Sequence, residues 1–156
     1  MTRIISLAAA ALLALPCTAI AQRGQPPAPE FIAASPEWPF STAVRVGRTI
    51  YLSGQIGVTA DRQLAPGGIQ GETRQTMENI KAALQPLGAT MDDLVKCTVF
   101  LADMSEWAAM NEVYVTYFPK HKPARSAMGV NGLALNARVE IECIAVGPAG
   151  RGPGGN

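Results

Sequence analysis

The feature that most restricts the fold is the repeated change in period of the hydrophobic pattern along the chain. Segments 41–54 and 92–103 alternate apolar and polar side chains and are rich in β-branched residues, as half-buried strands are. Segment 68–88 instead repeats its apolar face at three- and four-residue steps, which is the spacing of a helix. A second helical stripe follows in 103–118, and alternation returns in 124–146. This ββ-α-β-α-ββ order predicts an α+β domain with two helices on one face of a mixed sheet.

Turn and cap residues divide these segments. A Gly-Arg pair at 47–48 predicts a hairpin in the first strand region, and Gly88 is a natural helix stop. Asp103 followed by Glu106 resembles a capping box at the start of the second helix. The Asn-Gly dipeptide at 131–132 lies between two strand-like runs, which predicts a second hairpin.

The two ends of the chain differ in composition from the middle. Residues 1–21 have the charged, apolar and small-residue order of a secretory signal peptide, with cleavage expected before Gln22. Residues 22–30 form a Pro- and Gln-rich leader, and the tail 147–156 has too little apolar surface to fold. The folded domain is therefore expected at 31–146. Export to a bacterial periplasm is the simplest expectation.

The charge of the mature chain gives no electrostatic reason to expect an anionic polymer as partner. Removal of Arg3 with the signal peptide leaves 12 basic and 12 acidic residues. A protein that binds nucleic acid or an anionic membrane surface usually carries a basic excess. We therefore expect neither partner after signal cleavage.

The mature chain keeps two cysteines, Cys97 and Cys143, each in a strand-like run. Buried apolar thiols are common at such positions. Export also makes a disulfide chemically possible. The sequence leaves both states of the pair open.

Arg125 is the most unusual residue of the final strand region, because it lies inside a stretch, KPARSAMGV, that otherwise looks like a strand. A guanidinium keeps its charge, so it faces solvent, pairs with an internal carboxylate or binds an acidic ligand. In the last strand, one face is expected to be core and carries Val139, Ile141, Cys143 and Ala145. The other face carries Glu140 and Glu142 beside apolar residues. On the predicted hairpin, Arg125 and Glu140 would approach one another or border one cleft.

Asn111 lies on the apolar stripe of the second helix, where a buried amide needs a hydrogen bond. Its partner is either a cap or neighbouring strand, or a group at the rim of a cavity. His121, the only histidine, has no spacing that pairs it with a nucleophile, and no metal-ligand spacing or phosphate-binding glycine loop is present. We therefore expect no metal and no cofactor.

KPARSAMGV followed by RVEIECIAV resembles the signature of the RidA (YjgF-type) family of reactive-intermediate deaminases. The resemblance spans about residues 35–146 and includes YLSGQIGV, VKCTVFLADM and MNEVYVTYF at matching separations. It implies a chorismate-mutase-like fold, assembled as a homotrimer with sites between subunits. The activity it implies is cofactor-free hydrolysis of 2-imino acids or their enamine tautomers to 2-oxo acids and ammonia.

The resemblance also implies roles for individual residues. Arg125 falls on the arginine that grips the substrate carboxylate, and Glu140 falls on the glutamate that positions or activates water. Ser53 and Asn111 match polar positions that line the cleft.

Two further substrate-binding positions depart from the family pattern. Ala127 stands where many members have a cysteine, and Phe40 stands where many have a tyrosine. Neither change removes the carboxylate-binding group, and water rather than a thiol is the expected nucleophile.

Two other functions fit parts of the sequence. The same trimer could bind small carboxylates or proteins without turnover, and the changes at Phe40 and Ala127 favour that alternative over a fully equipped enzyme. A ribonuclease or translation inhibitor, roles also attached to the wider family, is disfavoured by the balanced charge and the signal peptide.

Overall fold

A computed structural model describes residues 27–33, 36 and 38–148. The predicted signal peptide 1–21 lies outside the described residues, as do most of the leader and tail. Gly147, the first residue of the predicted tail, donates its N–H to the Arg48 carbonyl at 3.0 Å and accepts from the Arg48 side chain at 3.1 Å. The ordered pairing of the domain thus reaches the start of the tail.

The described residues form two α-helices and seven strands, with short 3-10 turns between several of them. The strands are β1 (Glu30–Ala33), β2 (Ser41–Val46), β3 (Thr49–Leu52), β4 (Gln55–Ile56), β5 (Leu94–Leu101), β6 (Ala124–Gly129) and β7 (Val139–Val146). The helices are α1 (Gly68–Leu84) and α2 (Trp107–Tyr114).

All seven strands belong to one mixed sheet, in the order β1-β2-β3-β7-β5-β6, with β4 continuing along β7 beyond β3. Only β5 and β6 run parallel, because α2 carries the chain back between them. The β2–β3 hairpin at 47–48 and the α+β architecture are confirmed. So is the helix stop, since Gly88 adopts the left-handed conformation with φ 66°.

The second predicted hairpin is wrong. Strands β6 and β7 are not neighbours, because β5 lies between them and pairs with both. Residues 130–138 cross the end of β5 instead, with Val130 donating to the Leu101 carbonyl and Ala102 to the Arg138 carbonyl. The Asn-Gly signal failed because the run after it turns into a 3-10 turn at Ala134–Asn136 rather than a strand.

Both helices pack on the face of the sheet that carries the buried side chains. The predicted core faces of α1 and β7 are confirmed, since the alternating set on β7 is at most 3% exposed. The predicted stripe of α2 is confirmed for Met110, Tyr114 and Phe118, which are buried, but not for Trp107, which is 43% exposed. The Trp107 ring therefore belongs to a partly exposed surface at the start of α2 and not to the core.

The start of α2 and the start of β7 are held by one charged network. The Asp103 carboxylate caps the turn before α2 by accepting from the Ser105 N–H, as predicted. Glu106 does not complete the capping box, because it accepts from the Arg138 guanidinium at 2.5 Å. The buried Glu72 of α1 accepts the Arg138 N–H at 2.8 Å. The Asp103 cap is therefore kept, and tertiary pairing with Arg138 replaces only the glutamate half of the capping box.

Cys97 and Cys143 form a disulfide between β5 and β7, where they are direct cross-strand partners with Cα atoms 4.1 Å apart. Both are buried in the core beneath the helices. This decides between the two states that the sequence left open, because only the antiparallel register of β5 and β7 brings the two sulfurs together.

Reduction of this disulfide should lower stability. The bridge closes a loop with a sequence separation of 46 residues, and cross-links of that span stabilise by about 2–4 kcal/mol, chiefly through the unfolded chain. Urea unfolding with dithiothreitol present throughout should show this loss relative to the oxidised protein. The Cys97→Ala/Cys143→Ala double variant serves as the control and should not respond to reductant. An unchanged midpoint for wild-type protein with both thiols titrated free would contradict the prediction.

Candidate functional site

A cavity of about 570 Å³ opens at the edge of the sheet, between α2 and strand β6. It is bounded by α2 on one side and by the segment that leads into β6 on the other. Its lining includes Trp107, Asn111, Tyr114, Val115, Pro123 and Arg125. Glu112 and Lys122 also line it. The cavity therefore joins the Arg125 guanidinium to a mainly apolar wall with two further charged residues.

Arg125 is held from one side by three residues of α2. Its Nη1 donates to Asn111 Oδ1 at 2.6 Å. Its guanidinium carbon lies 4.7 Å from the ring centroid of Tyr114 and 5.9 Å from that of Trp107. Both distances fall in the range of cation–π attraction. The guanidinium is therefore fixed in position before any ligand arrives.

The helical spacing of the three supporting residues explains this arrangement. Positions 107, 111 and 114 are four and three residues apart, so they share one face of α2. That face meets the outermost strand of the sheet, β6, and the cavity lies beside it. The amide of Asn111 thus bonds to a neighbouring strand and lines the cavity, which joins the two roles considered for it from the sequence.

Arg125 keeps hydrogen-bonding capacity for a ligand. A guanidinium has five N–H donors, and the bond to Asn111 uses one of them. Within the described part of the chain, Arg125 forms no ion pair, so the internal carboxylate partner considered from the sequence is wrong. The guanidinium is suited to bind an anionic group that enters the cavity.

Tyr114 contributes its ring face rather than its hydroxyl. Its phenol oxygen is buried and has no hydrogen-bond partner among the described residues. Burial raises the pKa of Tyr114 to about 12, although the nearby Arg125 charge opposes the shift. The phenol therefore stays neutral at physiological pH and does not compete for the guanidinium.

Ala127 follows Arg125 on the same face of β6. It is half-buried and packs against the hydrophobic core, and it is not part of the cavity lining. Its small side chain lies two positions from Arg125, on the same face of the strand. Its predicted role as a substrate contact therefore has no geometric support within one chain.

Glu140 lies on the opposite face of the sheet from Arg125. Arg125 is the register partner of Cys97, whereas Glu140 is the partner of Phe100, three residues further along β5. Side chains three positions apart on a strand point to opposite faces. The expected approach of Glu140 to Arg125 on paired strands is therefore wrong within one chain.

Glu140 is instead placed beside the gap between β3 and β4. This gap consists of Ser53 and Gly54, and a side chain at Gly54 would collide with the Glu140 carboxylate. Burial, with a smaller contribution from Glu142, raises the pKa of Glu140 above its usual value. The carboxylate therefore holds a proton to higher pH than an exposed glutamate does, which suits a group that exchanges protons.

Ser53 lies next to Gly54 on the Glu140 side of the sheet, and Phe40 lies just before strand β2. Ser53 pairs with β2 through its N–H to the Thr42 carbonyl, and its Oγ donates to the Ser41 carbonyl at 2.6 Å. Phe40 comes immediately before Ser41, is 45% exposed and stacks edge-on against Trp38 with centroids 5.0 Å apart. Apart from Phe40, which lies before β2, the predicted site residues thus divide into an arginine side and a glutamate side.

Sequence reasoning did not assign Trp107 and Tyr114 to the site. Both were placed on the apolar stripe of the second helix, where Tyr114 does contribute to the core. Their helical spacing from Asn111 was a usable signal, because residues that share a face with a misfit amide share its environment. Only the position of β6 shows that this environment contains Arg125.

Two negative findings concern the described residues alone. No group of three or more His, Cys, Asp or Glu side chains there is arranged to hold a metal ion. No helix in the described ranges has the length and apolar character needed to cross a membrane.

Comparison with known proteins shows which family the chain matches. Residues 31–147 match the family described as Endoribonuclease L-PSP. The mouse protein named 2-iminobutanoate/2-iminopropanoate deaminase is 47% identical over 109 residues, which cover 69% of this chain and 81% of the relative.

Solved structures of similar fold include proteins of the same kind. RidA from an Antarctic Psychrobacter species is 38% identical with a TM-score of 0.68, over 74% of this chain and 93% of that one. Escherichia coli TdcF, crystallised with bound serine, is 34% identical with a TM-score of 0.67, over 70% of this chain and 88% of that one.

Replacing Asn111 should weaken carboxylate binding through Arg125. Asn111→Ala removes a hydrogen bond to a charged group, so the affinity for a probe such as pyruvate should fall by roughly 10-fold or more. Asn111→Asp should bind less than the alanine variant, because its carboxylate would occupy the guanidinium. Calorimetric titration measures both effects.

Asn136→Asp, which adds the same charge at an exposed turn, is the matched control and should bind as the wild type does. Wild-type affinity in Asn111→Asp would show that this residue does not act on Arg125.

Proposed function

Because the chain belongs to the RidA (YjgF-type) family, also described as the Endoribonuclease L-PSP family, we propose that it hydrolyses 2-imino acids or their enamine tautomers. The products are the corresponding 2-oxo acid and ammonia. The observation that carries the proposal is the pre-positioned guanidinium of Arg125, which has free donors beside an apolar cavity. Relatives at 47% identity that are named imine deaminases support the same activity.

The chemistry asks little of the protein beyond positioning. The imine carbon is already electrophilic, so water adds to it, the carbon–nitrogen bond breaks and ammonia leaves as the carbonyl forms. In this proposal Arg125 holds the substrate carboxylate with paired N–H donors. Glu140 orients the water and accepts its proton, and the raised pKa of its carboxyl supports that role. Orientation of water and acid is the main source of acceleration.

We further propose that the active site is completed by a second copy of the chain in a homotrimer. Arg125 and Glu140 lie on opposite faces of one sheet, so a cleft that uses both must lie between subunits. The face with Glu140 is uncovered in the single chain and carries exposed or half-exposed apolar residues. These include Val44, Val46, Tyr51, Phe100, Met128, Ile144 and Val146. Apolar surface of this kind favours contact with another subunit.

Phe40 and Ala127 set the limits of the proposed chemistry. Phe40 offers an aromatic surface but no hydroxyl, and Ala127 offers no thiol beside Arg125. Neither absence removes the carboxylate clamp or the water-handling carboxylate. We expect the substrate range and rate, rather than the reaction type, to depend on these two positions.

A nucleic-acid substrate has less support. The family description includes the word endoribonuclease, but the mature chain has 12 basic and 12 acidic residues. The cavity is lined by two basic residues, Arg125 and Lys122, together with Glu112 and a mainly apolar wall, whereas a nucleic-acid backbone is usually bound by an extended basic surface.

We propose that the protein acts after export, in the bacterial periplasm. The signal-peptide pattern of residues 1–21 and the buried Cys97–Cys143 disulfide both suit an oxidising compartment. An exported amino-acid oxidase or dehydrogenase is a class of enzyme that would supply imines there.

Mass spectrometry of the periplasmic protein should give a chain beginning at Gln22. A cytoplasmic protein that retains residues 1–21 would contradict this.

The activity test uses residues 22–156 and imines generated in situ by an amino-acid oxidase. Release of 2-oxo acid should exceed the spontaneous rate, and Arg125→Ala should lower kcat/KM by roughly 30-fold or more, since it removes a charged hydrogen-bonding partner. Arg125→Lys keeps the charge but lacks the paired donors, so its kcat/KM should lie between the values of the wild type and Arg125→Ala. If the wild type binds 2-oxo acids but accelerates no imine, the trimer is a carboxylate-binding protein and not a deaminase.

Mixing two inactive variants tests the shared site. Arg125→Ala and Glu140→Gln subunits, unfolded together and refolded in equal amounts, assort at random. If each site uses Arg125 of one subunit and Glu140 of the next, about one site in four is intact. Recovery of about a quarter of wild-type activity is expected, whereas a site built within one chain would recover none.

A further inference from the structure

We infer that the cavity beside Arg125 selects 2-imino acids with large apolar side chains, and that Trp107 determines this specificity. The inference rests on the proposed deaminase function and names the substrate class of the same site. It comes from the size of the cavity, the chemistry of its wall and the unusual exposure of Trp107.

The cavity is larger than a small imino acid needs. The imine of alanine has six non-hydrogen atoms, which at the ~30 Å³ that a water molecule takes in the liquid occupy on the order of 180 Å³. The cavity measures about 570 Å³. Within one chain, a substrate held at Arg125 leaves roughly two thirds of this volume to be shared by its side chain and by any part of the proposed second subunit that closes the cleft.

The wall next to Arg125 is apolar and uncovered. Trp107 and Val115 are each 43% exposed although both line the cavity. The Trp107 ring centroid lies 5.9 Å from the guanidinium carbon, so the carbon chain of an acid bound at Arg125 comes within reach of the ring. When a ligand covers apolar surface of this kind, binding becomes more favourable in proportion to the area that is buried.

The same wall offers little to a polar side chain. The Tyr114 hydroxyl is buried, so its ring face rather than its oxygen meets the cavity. The amide oxygen of Asn111 already accepts from Arg125. Glu112 at the rim accepts from Gln70 at 2.7 Å. Charged groups other than Arg125 are limited to Glu112 and the exposed Lys122 of the lining. A polar substrate group placed against the aromatic and aliphatic part of the wall would lose water without gaining a partner, which disfavours its binding.

The experiment compares kcat/KM for the imines of alanine, leucine and phenylalanine, each generated by an amino-acid oxidase and followed by trapping the remaining imine with semicarbazide. For the wild type, kcat/KM should be at least ~10-fold higher for the leucine and phenylalanine imines than for the alanine imine. Trp107→Ala should reduce these two ratios by ~10-fold or more. Val115→Trp, which fills the cavity, should also reduce them.

Leu135→Ala is the matched control, because it removes an exposed apolar side chain, 63% exposed, on the turn before β7. It should leave the ratios unchanged. Size-exclusion chromatography of each variant accompanies the kinetics.

Several outcomes would overturn the inference. Equal losses on all three imines in Trp107→Ala would mean that Trp107 acts only by supporting Arg125. A changed oligomeric state of that variant would place Trp107 in a subunit contact instead. Wild-type acceleration with no preference among the three imines would remove the inference and leave the proposed function standing. Acceleration of none of them would instead remove the proposed function itself.

Discussion

The pairing of β5 with both β6 and β7 is the constraint on which the rest of this structure depends. It aligns Cys143, Cys97 and Arg125 in one row across three strands. The first two residues of the row close a disulfide in the core, and the third emerges at the sheet edge under α2. The same register sends Glu140 to the other face. One alignment of strands therefore sets both the covalent link of the core and the division of the site.

Helix α2 holds the guanidinium of Arg125 in a position suited to binding an anion. A guanidinium on an edge strand would usually be solvated and mobile, and its ordering on binding would cost conformational entropy. Here an amide oxygen fixes Nη1 and two aromatic rings support the guanidinium from one helix face. The charge is satisfied by contacts that leave donors free, since no carboxylate competes for it among the described residues. Pre-organisation of this kind strengthens the binding of an anionic ligand.

The two halves of the predicted site differ in chemical character. The arginine side joins a fixed cation to an apolar cavity, and the glutamate side joins a half-buried carboxylate with a raised pKa to a strand break at Ser53–Gly54. One half is suited to bind an organic acid, and the other is suited to handle protons and water. A reaction that adds water to a bound acid needs both. The uncovered apolar face around Glu140 agrees with their being brought together by a second subunit.

The sequence by itself determined the elements, the core faces and the identity of the charged residues, because these follow from local periodicity and side-chain chemistry. Alternation fixed which residues of β7 are buried, and helical spacing did the same for α1. Strand order was decided only by the tertiary structure, because the Asn-Gly turn at 131–132 specifies a local bend and not which strand lies alongside. That order separated Arg125 from Glu140, joined Cys97 to Cys143, and placed Trp107 beside the guanidinium instead of in the core. Pairing between distant segments depends on packing across the whole sheet, and no short stretch of sequence encodes it.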